Sequence, residues 1–92
     1  MRHTKVTTPD GIIVYRRYNK FHRDDGPALI YPNGEERWYK NGKLHREDGP
    51  AITRANGNYE WHFNGTAFTF DVWCNILKKT PEEKAKLLLK YA

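Results

Sequence analysis

Short runs in which apolar and polar side chains alternate recur along the first two thirds of the chain, each closed by a turn signal. Two of them are Glu36-Arg37-Trp38-Tyr39-Lys40 and Tyr59-Glu60-Trp61-His62-Phe63, rich in aromatic residues. A period of two with aromatic and β-branched residues predicts strands half-buried on one side. The tripeptides Pro9-Asp10-Gly11, Pro32-Asn33-Gly34 and Ala55-Asn56-Gly57 suit tight turns, and Asn41-Gly42 is a hairpin signal. Sorting by parity places Ile13, Tyr15, Trp38, Tyr59, Trp61 and Phe63 on a core face. Val14, Arg16, Tyr18, Arg37, Tyr39, Glu60 and His62 then share a second face, cationic and aromatic, that should be wet.

These runs repeat without gaps at an offset of 23 residues. Tyr15 falls on Trp38 and then on Trp61. The stretch Phe21-His22-Arg23-Asp24-Asp25-Gly26-Pro27-Ala28-Leu29 falls on Leu44-His45-Arg46-Glu47-Asp48-Gly49-Pro50-Ala51-Ile52. A third copy retains Asn64-Gly65 but runs into Phe68-Thr69-Phe70 where the His-Arg-acid string should stand. A fixed period of this size predicts stacked supersecondary units, here strand, turn, link, strand, turn.

Beyond residue 68 the period changes. Val72, Trp73, Ile76 and Leu77 follow helical spacing, with Thr69 or Asp71 as N-cap. Thr80-Pro81-Glu82-Glu83 reads as a capping box opening a helix over about 81–91, with Ala85, Leu88, Leu89 and Tyr91 as its inward stripe. The predicted class is α+β: an antiparallel β-meander of about three 23-residue repeats, one face covered by two short C-terminal helices. Residues 1–92 form one domain, with β-repeats over 9–68 and a helical cap over 69–92. An open meander has edge strands, so homo-oligomers could form through them.

The string from Asn41 to Ala51, preceded by Trp38-Tyr39, resembles the degenerate MORN-repeat variants of bacterial and bacteriophage proteins. The tail from Trp73 through Thr80-Pro81-Glu82-Glu83-Lys84 to Leu89-Lys90-Tyr91 is similar to small tailed-phage proteins carrying such repeats. The resemblance implies a β-hairpin array used for protein or lipid contact without catalysis, and a host-modulating or anti-defence role. The regular glycine spacing of standard MORN repeats is absent here, so phospholipid binding does not transfer.

Composition sharpens this picture. Three Trp, six Tyr and four Phe in 92 residues predict an aromatic core. The lone Cys74 excludes an internal disulfide, no apolar stretch approaches a membrane span, and the first residues lead into no signal-peptide core, which points to a cytoplasmic protein. The net charge of +5 is uneven: Arg2, Lys5, Arg16, Arg17 and Lys20 face only Asp10 in the first twenty residues. A basic first hairpin could attract an anionic partner.

His22-Arg23-Asp24-Asp25 and His45-Arg46-Glu47-Asp48 carry the residue types of acid–base chemistry. Their repetition in register favours a structural link instead. In that reading His22, Arg23, Asp25, Gly26, His45, Arg46, Asp48 and Gly49 make one motif twice, with Arg pairing locally to an acid and Gly supplying an unusual φ. The histidines and Cys74 show no ligand spacing, so neither a metal nor another cofactor is expected, and no motif for specific nucleic-acid binding is present. The expected function is a non-enzymatic interaction module whose partner is a host protein, contacted through Arg16, Tyr18, Arg37, Tyr39 and His62. The alternative is a binder of a small anionic ligand such as a nucleotide signal, on the same cationic and aromatic face.

Overall fold

The computed structural model describes residues 4–91; Arg2, counted in the basic N-terminal stretch, lies outside them. The expected α+β meander is present. Ten strands precede two helices: β1 (Thr4–Thr7), β2 (Ile13–Arg17), β3 (Lys20–Phe21), β4 (Leu29–Ile30), β5 (Glu36–Arg37), β6 (Tyr39–Lys40), β7 (Lys43–Leu44), β8 (Ile52–Thr53), β9 (Tyr59–Phe63), β10 (Thr66–Phe68), α1 (Phe70–Ile76) and α2 (Pro81–Tyr91). All strand pairs are antiparallel, and the main sheet runs β1-β2-β4-β5-β8-β9-β10.

Each return strand is broken in the middle by the link. Opposite Tyr15, its N–H donates to Ala28 O (2.8 Å) while its carbonyl accepts from His22 N–H (3.1 Å). Residues 23–27 therefore leave the sheet as one large bulge and re-enter at Ala28. The second link does the same opposite Trp38, which bonds to Ala51 (2.7 Å) and His45 (3.1 Å). Trp38 is thus flanked by bulges on both sides. The run Glu36–Lys40, expected as one strand, is split there into β5 and β6, because a bulge leaves the opposing residue without regular ladder partners.

The bulges carry lids for the ring column. The Arg23 guanidinium lies 4.1 Å from the Tyr15 ring centre, and that of Arg46 lies 3.8 Å from Trp38. Each arginine is pinned by its own loop: Arg23 Nε donates to Asp25 (3.1 Å) and Nη1 to Pro27 O (3.2 Å), and Arg46 repeats both bonds with Asp48 (2.8 Å) and Pro50 O (3.1 Å). A cation over a ring contributes about 0.5–2 kcal/mol, towards the upper end when desolvated. In the third unit the place of this arginine is taken by Thr69, which N-caps α1 by accepting from Val72 N–H (3.2 Å). The helix then supplies the lid itself. Phe70 and Trp73 pack on Trp61 at 4.8 and 4.7 Å, and Tyr91 of α2 meets it edge-on at 5.8 Å. The two helices thus cover the face at its last ring, and arginines cover it at the first two.

The histidines hold neighbouring hairpins together. Asn41 N–H donates to His22 Nδ1 (2.9 Å), and 23 residues later Asn64 N–H donates to His45 Nδ1 (3.0 Å). Both imidazoles are buried, and both Nε2 atoms face a carboxylate, Asp24 at 3.0 Å and Glu47 at 2.9 Å. Nδ1 accepts in each case, so Nε2 carries the proton and donates.

Three expectations need correction. Gly26 and Gly49 do not take positive φ. A side chain there would instead sit 2.7 Å from the Arg23 or Arg46 guanidinium carbon, so close approach demands the glycine. The second face is not simply wet: Val14, Leu29, Arg37, Ile52 and Glu60 oppose one another across it, and Leu29 and Ile52 are buried. Finally, α2 turns Leu87 and Tyr91 inward, while Ala85, Leu88 and Leu89 are exposed. The ring of Tyr91 decides that rotation by fitting between Tyr59 and Trp61 while its hydroxyl accepts from Arg46 (3.3 Å). The capping box forms as expected, with reciprocal bonds of 2.9 and 3.1 Å between Thr80 and Glu83.

Replacing either glycine should displace its arginine lid. Gly49→Ala is expected to cost about 1–3 kcal/mol, and more than Gly26→Ala, because its Cβ also meets the Tyr91 hydroxyl at 2.9 Å and loosens α2. Thermal melts of the two variants, followed by circular dichroism, check the order.

Candidate functional site

The second face divides into two parts. At the turn end of the long strands a five-member charge ladder crosses it. Arg37 pairs with Glu35 (2.8 Å), Glu35 with Arg54 (3.6 Å), Arg54 with Glu60, and Glu60 with His62 Nε2 (3.4 Å). Glu60 is held below the usual carboxylate range, chiefly by its bond from Arg54. Arg37 also lies 5.5 Å from the Tyr31 ring. His62 is buried at 7 % exposure, and its Nδ1 has no partner among the described residues. Arg37 and His62 are therefore built into the ladder, and the Arg37 charge is matched within the face.

At the hairpin end lies a different surface. Arg16 directly opposes Phe21, so the two share the face, and Phe21 packs against Tyr39 at 5.2 Å. Phe21 is 37 % exposed and Arg16 is exposed. Tyr18 stands beyond the end of β2 in the turn, not on the strand face where parity placed it. It is 66 % exposed, with φ +52°. Tyr18-Asn19 forms the tip of the first hairpin, where Asn41-Gly42 and Asn64-Gly65 form the next two. All six residues have positive φ, the geometry of a two-residue turn that matches strand twist. Asparagine and glycine tolerate it. A tyrosine there bears strain on the order of 1–2 kcal/mol.

The repeated motif presents no free base. In His22 and His45 one ring nitrogen accepts a backbone N–H and the other faces a carboxylate. Glu47 is held below its ordinary value first by the bond from His45. Burial pushes the Cys74 thiol up, away from the thiolate form a nucleophile needs. Among the described residues no three His, Cys, Asp or Glu side chains gather as a metal cluster, and no helix is long and apolar enough to cross a membrane.

The structure thus brings Arg16 and Tyr39 together with Phe21 beside Tyr18, and assigns Arg37 and His62 to the ladder. Sequence reasoning missed Phe21, Glu35 and Arg54. Phe21 was legible, since a two-residue turn over 18–19 makes Arg16 and Phe21 cross-strand partners. The ladder depends on turn geometry at 31–35 and 54–58, which alternation does not encode. No family model matches the chain, and neither a curated protein nor a solved structure does, so the MORN-like resemblance rests on the quoted strings.

Glu47 and Glu60, two of the depressed carboxylates, give stability a direction with pH. A carboxyl held below its unfolded value stabilises the fold above that value and loses the contribution as pH falls through the folded one. The melting temperature should therefore drop as pH falls below the ordinary value of 4.5. Glu60→Gln and Glu47→Gln should each make that acid limb shallower, measured as melting temperature against pH.

Proposed function

We propose that this chain is a non-enzymatic interaction module that docks on a protein through the tip of its first hairpin. Tyr18 is the centre of the contact, with Arg16, Phe21 and Tyr39 around it. One observation carries the reading: an exposed tyrosine occupies a left-handed turn position that the two sister hairpins give to asparagine. The ring meets the Arg17 guanidinium at 5.8 Å, a contact of about 0.5–1 kcal/mol at an exposed site, and strain kept in an exposed residue beyond such a gain marks a functional constraint. Tyrosine, arginine and phenylalanine are also the side chains that anchor protein interfaces. Arg37 and His62 lie beside this surface on the same face, within the charge ladder.

The resemblance to phage-borne MORN variants supplies the setting. The partner is a host protein, and the module acts by occupying that protein's surface, as an anti-defence factor would.

Tyr18→Asn separates stability from function. The variant should be more stable by about 1 kcal/mol, a rise of about 4–8 °C in melting temperature for a chain of this size. It should also lose the specific protein that the tagged parent captures from bacterial lysate. A variant that melts higher and still captures that protein would remove Tyr18 from the interface. A parent that captures nothing specific would sink the proposal.

A further inference from the structure

The first face carries cations that stand in no close ion pair among the described residues, although Lys40 lies near enough to Glu47 to help lower its pKa. Arg17 directly opposes Lys20 across the first hairpin, and Lys40 directly opposes Lys43 across the second. Like charges in directly opposed positions repel, so both pairs weaken the hairpins that hold them. Among the described residues Lys20, Lys40 and Lys43 make no ion pair, and all three are exposed. Arg17 is half-buried, with its Nε lacking a partner.

The two pairs belong to one site. The Lys20 stem lies 3.7 Å from where a Gly42 side chain would begin, so the first pair rests on the second hairpin. Lys20, Lys40 and Lys43 line a groove of about 570 Å³ with Asn41, Phe63 and Asn64. Its one carboxylate, Glu47, is engaged by His45. One side of the Phe63 ring packs on the His45 imidazole at 4.8 Å, and the half-buried ring also lines the groove.

From this geometry we infer that the groove binds a nucleoside polyphosphate, with its phosphates on Lys20, Lys40 and Lys43 and its base on Phe63. Equivalent strands of successive hairpins lie two strand spacings apart, about 10 Å. A single carboxylate cannot serve cations spread over that distance, whereas a chain of phosphates can, and lysine suits phosphate as a strongly hydrated point charge. The flat ring beside them suits a base, since stacking accepts any base. This site lies on the opposite face from Arg16, Phe21 and Tyr39 and does not depend on their role.

Titration calorimetry at low salt with adenosine triphosphate, inorganic tripolyphosphate and adenosine tests the assignment. Adenosine triphosphate should bind, tripolyphosphate should bind at least fivefold more weakly, and adenosine should give no detectable heat. Lys40→Gln/Lys43→Gln should cut affinity for adenosine triphosphate at least tenfold and melt at or above the parent's temperature, because it removes a repulsive pair. No heat with adenosine triphosphate, or unchanged affinity in the double variant, would overturn the site. Equal affinity for tripolyphosphate would overturn the base contact. Stronger binding of a thymidine oligonucleotide than of adenosine triphosphate would overturn the proposal in favour of a nucleic-acid strand.

Discussion

The structure depends on a guanidinium placed over an aromatic ring. A single-layer sheet of 92 residues has too little chain to cover a column of Tyr15, Trp38 and Trp61 with a second full layer. The solution is local: each return strand lets out a loop, and the loop folds one arginine over the ring it passes. Three other features of the repeated link serve that placement. The acid two residues on fixes Nε, the carbonyl of Pro27 or Pro50 fixes Nη1, and the glycine leaves room for the guanidinium.

The same logic explains why the repeat stops where it does. A loop-and-arginine lid can cover a ring only where another long strand follows to receive the loop's backbone bonds, as Tyr39 and Arg37 receive Arg23 and Ala28. Among the described residues, β10 is followed by helix and by no further strand. The chain changes to α1, whose Trp73 is fully buried and donates from its indole N–H to Arg46 O (3.1 Å). Tyr91 then closes the end by meeting both Trp61 and the last arginine lid. The cap and the second link are therefore one energetic unit, although 45 residues separate Arg46 from Tyr91.

Against that economy, two places stand out as poor choices for stability. One is Tyr18 in a left-handed turn; the other is the pair of opposed cations in each of the first two hairpins. They lie at the same hairpin ends, where the Arg17 guanidinium sits 5.8 Å from the Tyr18 ring. Where local choices elsewhere agree with the fold, such violations are the natural places to seek function.

Much of this was legible in the chain itself. The 23-residue offset, the Asn-Gly turns, the capping box at Thr80 and the change to helical spacing after Phe68 are all statements about neighbours in sequence, and local backbone preference is enough to produce them. Even the like-charge pairs could be read, because a two-residue turn makes Arg17 and Lys20, or Lys40 and Lys43, partners. Tertiary structure alone decided the rest. Ala28-Leu29-Ile30 is apolar throughout and Ala51-Ile52 opens its counterpart with two apolar residues, so alternation could not say that Leu29 and Ile52 would be buried on the supposedly wet face. The rotation of α2, the ladder from Arg37 to His62 and the arginine lids are contacts between side chains whose positions depend on bulges and turns. Parity along a strand says nothing about them, because a bulge resets which residue faces which.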